Sequence, residues 1–99
     1  MECTIKREEK LIVEIHGRLD TVTSAELKDK LAEEDLTDCD IDLDFTDVEY
    51  ISSAGLRLLV ALQKQTKASG HQLVIRHINN VVNEIFHVAG FHKTLHIED

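Results

Sequence analysis

Two adjacent hydroxyls, Ser52 and Ser53, stand directly before Ala54, Gly55, Leu56 and Arg57, where small residues pass into the apolar run Leu58-Leu59-Val60-Ala61-Leu62. Small residues followed by an apolar run mark a helix start, where a serine side chain accepts a hydrogen bond from an otherwise free amide. The unsatisfied N–H groups and the macrodipole at such a terminus favour an anion, so a phosphorylated serine fits there electrostatically. The plain structural alternative is that Ser52 or Ser53 serves only as the N-cap. Asp44, read as the end of the preceding strand, is the acidic residue expected nearest the serines.

Other residue types suggest chemistry that their spacing does not support. His87, His92 and His96 fall on a helix, a turn and a strand, with no common face and no carboxylate at ligand spacing, so no metal is expected. Ser52 and Ser53 lie in no Gly-x-Ser-x-Gly elbow and no histidine has an evident aspartate partner, which argues against a serine hydrolase. Asp40, Asp42 and Asp44 alternate along one strand face and read as solvated charge rather than a cation site. Cys3 and Cys39 are far apart in sequence and form no Cys-x-x-Cys, so two buried, reduced thiols are expected.

The elements that must position the serines follow from periodicity. Cys3–Arg7 and Lys10–His16 read as a hairpin closed by Glu8 and Glu9, with Gly17 ending the second strand. Thr23-x-x-Glu26 reads as a capping box for a helix over Ser24–Glu34, with Val22 and Leu27 as its hydrophobic staple. Asp40–Phe45 alternates as a strand, with Ile41, Leu43 and Phe45 on one face. The serine-capped helix follows, with Leu56, Leu58 and Leu62 expected in the core. Leu73–Ile75 is a short strand, and Asn79 or Asn80 caps a third helix with Val81, Ile85 and Val88 on one side and Phe86 and Ala89 adjoining. Gly90 stops that helix, Phe91 folds back on it, and Leu95 with Ile97 suggests a last strand. The order β-β-α-β-α-β-α-β implies an α/β fold, a mixed sheet with helices mainly on one face, in one domain over residues 1–99.

The chain has 99 residues, with 11 Lys and Arg against 19 Asp and Glu, a net charge of −8. No basic stripe is available to neutralise phosphates, so nucleic acid and anionic membranes are not expected partners. The charged opening MECTIKREEK is no secretory signal, which points to a soluble, cytoplasmic chain.

Taken together, Gly17-Arg18-Leu19-Asp20, Ile41-Asp42-Leu43-Asp44 and Tyr50-Ile51-Ser52-Ser53-Ala54-Gly55-Leu56 resemble the STAS domain of bacterial anti-sigma factor antagonists. The resemblance covers nearly the whole chain and implies a partner-switching module with no catalytic activity and no cofactor. In that family the unphosphorylated antagonist binds an anti-sigma factor that is also a serine kinase, phosphorylation of one serine breaks the complex, and a PP2C-type phosphatase resets it. The modified serine matches Ser53, with Ser52 as second choice, and Asp20 and Asp44 match acidic positions beside it. Two departures stand out: Ser52 replaces the acidic residue usual before the phosphorylated serine, and Ala54 replaces the Ser or Thr frequent after it. Arg57, one turn on, is placed to pair with a phosphate on Ser53, or else is an exposed helical arginine. The alternatives are a STAS module that controls a target other than a sigma factor, one that binds a nucleotide, and, from another class, a small serine hydrolase.

Overall fold

The computed structural model describes residues 2–36 and 38–98. The elements run β1 (Glu2–Arg7), β2 (Leu11–Leu19), α1 (Thr21–Leu31), β3 (Ile41–Ile51), α2 (Ser53–Ala68), β4 (Leu73–Arg76), α3 (Asn80–Ala89), a 3-10 turn (Phe91–Lys93) and β5 (Ile97–Glu98). Five strands form one mixed sheet in sequence order: β1 pairs antiparallel with β2, and the remaining neighbours are parallel. Each parallel step needs a crossover, and the helices supply it.

The strand alternation fixes which face is buried. Leu11, Val13 and Ile15 of β2, Ile41, Leu43 and Phe45 of β3, and Leu73 and Ile75 of β4 form one apolar cluster with Leu27 and Leu31 of α1, Leu56, Leu59 and Leu62 of α2, and Val82 and Phe86 of α3. Leu58 packs against this cluster only in part. The opposite face of the sheet sets Ile12 and Val74 among charged residues. Asp42 is nonetheless buried there, accepting from Lys10 Nζ at 2.7 Å and Arg76 Nε at 2.9 Å, so the middle of the aspartate row is paired rather than solvated.

Several boundaries differ from the sequence reading. Gly17 does not end β2, because it adopts φ 97°, open to glycine, and the strand continues to Leu19. Likewise β3 does not end near Phe45. Glu14 pairs with Asp44 and Leu19 with Ile51, so five steps on β2 face seven on β3, and two extra residues are bulged out. The bulges change the spacing of buried positions to Phe45, Val48 and Ile51, which conceals the strand from a test for strict alternation. Helix α1 starts at Thr21, not Ser24, because Asp20 takes the N-cap. Val22 is 67% exposed, so it forms no staple. On α3 the buried stripe is Val82 and Phe86, while Val81 and Val88 face solvent.

Candidate partner-binding site

The C-terminal ends of β2 and β3 lie side by side, in register at Leu19 and Ile51, and each strand leads at once into a helix. Ser52 ties the two ends together: its N–H donates to the Leu19 carbonyl at 2.8 Å, while its Oγ caps α2 by accepting from Gly55 N–H at 3.3 Å. Ser52 is therefore the N-cap, and Ser53, the first residue of α2, is exposed. A part-exposed hydroxyl that accepts from a helix amide and a fully exposed hydroxyl beside it are different chemical objects.

Gly55 explains the small-residue run. A Cβ at this position would lie 2.6 Å from Ile51 Cγ1 and 3.1 Å from the Leu19 carbonyl oxygen, so the first turn of α2 is pressed against both strand ends. Leu56 follows into the core, Ala54 is half-buried and Arg57 is exposed.

Asp20 is at the same end. Its Oδ1 accepts from Val22 N–H at 3.0 Å and Thr23 N–H at 2.9 Å, and the Thr23 hydroxyl returns a bond by accepting from Asp20 N–H. The Thr23 amide, then the Thr23 hydroxyl, hold the Asp20 carboxyl below its ordinary range. In-register parallel strands lie about 4.8 Å apart, so Asp20 and Ser52, the residues after Leu19 and Ile51, are neighbours. Arg18 flanks them, its guanidinium carbon 4.6 Å from the Tyr50 ring centroid.

Asp44 is not part of this group. It sits seven residues before Ile51, beside five steps of β2, which at about 3.3 Å each put it roughly 16 Å away. The reason is the bulged continuation of β3 that the sequence reading missed. Burial opposes ionisation of Asp44, but the Thr46 hydroxyl and N–H donate to its Oδ1, and the carboxyl is held below the usual range.

The histidines are also rearranged. His87 and His92, read as sharing no face, stack with ring centroids 4.1 Å apart and planes inclined by 12°. His96 instead meets Glu98 at 2.8 Å. Among the described residues, no three His, Cys, Asp or Glu side chains are grouped to hold a metal ion. Cys39 is buried, but Cys3 is only half-buried; burial pushes its thiol up, with Lys30 opposing.

Sequence reasoning missed the groove between α1 and α2, a hollow of about 300 Å³ that brings Ser24 and Lys28 to the side of Ala54 and Arg57. No local spacing signals it, because its two walls come from helices separated by all of β3. Among the described residues, no helix is long and apolar enough to cross a membrane.

Comparison with known proteins agrees with this architecture. A family model described as "Mlab, STAS domain" matches residues 4–97. BtrV of Bordetella bronchiseptica, provisionally named an anti-sigma factor antagonist, is 32% identical over 82 residues, spanning 82% of this chain and 71% of that protein. The crystal structure of TM1081 from Thermotoga maritima, named in the same provisional way, superposes with a TM-score of 0.87 at 22% identity, over 98% of this chain and 86% of that one. The anti-sigma factor antagonist SpoIIAA in its unphosphorylated form gives 0.78 at 13% identity, over 99% and 89%. With the family model spanning nearly its whole length and the sheet, helices and serine-led α2 all in place, the chain belongs to the STAS domain family.

Proposed function

We propose that this chain is an anti-sigma factor antagonist that works by partner switching. In the unphosphorylated state it binds an anti-sigma factor with serine kinase activity and frees the sigma factor; phosphate on Ser53 breaks that complex, and a PP2C-type phosphatase removes it. The chain acts in the cytoplasm by binding alone and performs no catalysis. The observation that carries this reading is the division of labour at the start of α2: Ser52 is occupied as cap, and Ser53 stands exposed at the first helical position. The name of BtrV supports it, as do the structures of SpoIIAA in unphosphorylated and phosphorylated forms.

One phosphate suffices on electrostatic grounds. It adds about −1.5 to −2 charges at neutral pH, at a helix terminus where the dipole tolerates an anion, so the fold is not disturbed. In an interface the same charge must be desolvated beside Asp20, a carboxylate that the α1 cap keeps ionised. A penalty of about 3 kcal/mol weakens binding roughly a hundredfold, enough to exchange partners.

The test is to incubate the chain with the candidate kinase from the same genome, locate the phosphate by mass spectrometry and measure complex formation. Phosphate on Ser53 with binding about a hundredfold weaker is expected, with Ser53→Ala binding tightly and refusing the switch. Equal binding by the modified and unmodified protein defeats the proposal. A second reading, a STAS module whose target is not a sigma factor, is favoured by the wording of the matching family model, which names Mlab rather than an antagonist. Release of a partner other than an anti-sigma factor on Ser53 modification would select it.

A further inference from the structure

Helix α2 carries Arg57, Lys64 and Lys67 and no carboxylate, in a chain whose net charge is −8. The groove it forms with α1 is lined by Ser24, Lys28, Ala54, Arg57, Leu58 and Ala61, and leads into a second hollow of about 240 Å³ that shares Lys28, Leu58 and Ala61. Ser24 is 5% exposed, and its Oγ has no hydrogen-bond partner. Neither Lys28 nor Arg57 joins an ion pair among the described residues. A buried hydroxyl left unpaired is costly, and here it lines the same hollow as two cations that join no ion pair. The alanines in the walls let another backbone approach closely.

We propose that this groove receives an acidic side chain of the partner: a carboxylate enters between Lys28 and Arg57 and accepts a hydrogen bond from Ser24 Oγ. The inference rests on the reading of Ser53 as the modified residue, and it supplies a route for the switch. Ser53 and Arg57 are one turn apart on the same helix face, about 5–6 Å between Cβ atoms. A phosphate on Ser53 reaches the Arg57 guanidinium and can hold it through two parallel N–H···O bonds. The partner's carboxylate then loses its strongest donor to an anion tethered beside it. Phosphorylation thus acts by competition for one arginine as well as by repulsion.

The probe is an Ala-rich helical peptide bearing Glu four residues apart, with its Gln counterpart as control, titrated into the ¹⁵N-labelled chain. Chemical-shift changes are expected at Ser24, Lys28, Ala54 and Arg57, with the Gln peptide at least tenfold weaker. Ser24→Ala removes the hydroxyl without touching either charge and should weaken the Glu peptide several-fold. Lys28→Gln with Arg57→Gln, both at exposed positions, should abolish binding while leaving the spectrum dispersed. Ser53→Glu should weaken it about tenfold. Shifts centred elsewhere, equal binding of the Gln peptide, or indifference to Arg57→Gln overturn the proposal. So do concentration-dependent shifts at the groove without peptide, which would give it to a second copy of this chain. The two readings fail separately: a native complex broken by phosphate beside a groove blind to the Glu peptide defeats this inference alone. A groove that binds the Glu peptide beside a native complex indifferent to phosphate defeats the switch.

Discussion

Helices α1 and α2 begin in equivalent places, each straight after one of two neighbouring parallel strands, yet their first turns are finished in opposite ways. At α1 the cap is a carboxylate: Asp20 accepts two backbone amides and is locked by a reciprocal bond with Thr23. At α2 the cap is a neutral hydroxyl making one longer bond of 3.3 Å, followed by an exposed serine. The positive end of the α1 dipole thus has its negative charge built in, whereas the α2 terminus carries none, which leaves it the place for the phosphate proposed on Ser53. The difference teaches which of the two helix starts has room for an added anion: the one whose cap is neutral.

The sharpest way to break the comparison is Gly55→Ala. The added methyl would meet Ile51 and press on the Leu19 carbonyl that receives Ser52 N–H, so a loss of about 1–3 kcal/mol in urea unfolding is expected from overpacking. A change within about 0.5 kcal/mol, the range of an ordinary surface substitution, would show that the start of α2 is not seated as described. Next come the caps themselves. Asp20→Ala should cost about 1–2 kcal/mol and Ser52→Ala about 0.5–1 kcal/mol, from the usual range for N-cap removal. The reverse order would cancel the distinction between a closed terminus and an open one.

The smallest effect is with pH. Asp20 has a folded-state carboxyl below its ordinary value of 3.8, so its contribution is complete above that value and fades as pH falls through the lower folded-state value. Asp20→Asn keeps a good cap but cannot titrate, so thermal melts of this variant should fall less steeply than wild type on acidification below about pH 4. Parallel curves would remove Asp20 from the account of acid sensitivity.

Much of this arrangement was legible in the residues. The small-residue entry to α2, the apolar faces of β2 and the first half of β3, and the Gly90 stop all follow local rules, and each recurs in the structure. What escaped has identifiable causes. Asp20-x-x-Thr23 and Thr23-x-x-Glu26 are overlapping capping patterns, and only the three-dimensional end of β2 decides between them. On α3, Val81, Ile85 and Val88 make as good a stripe as Val82 and Phe86, because the helix is apolar over much of its circumference and periodicity cannot say which side meets the sheet. The bulges in β3 erased its alternation and put Asp44 in the wrong place relative to Ser53. The α1–α2 groove joins residues from distant parts of the chain, and no window along the sequence contains both Ser24 and Arg57.

The outer strands carry a further consequence. A bare strand edge is a template on which copies of a protein can polymerise. Here, among the described residues, β5 offers two on one side, and β1, on the other, holds Lys6 and Arg7 at its exposed end. Edges this poorly suited to zipping onto a second copy would serve a chain that, as proposed, exchanges one companion for another.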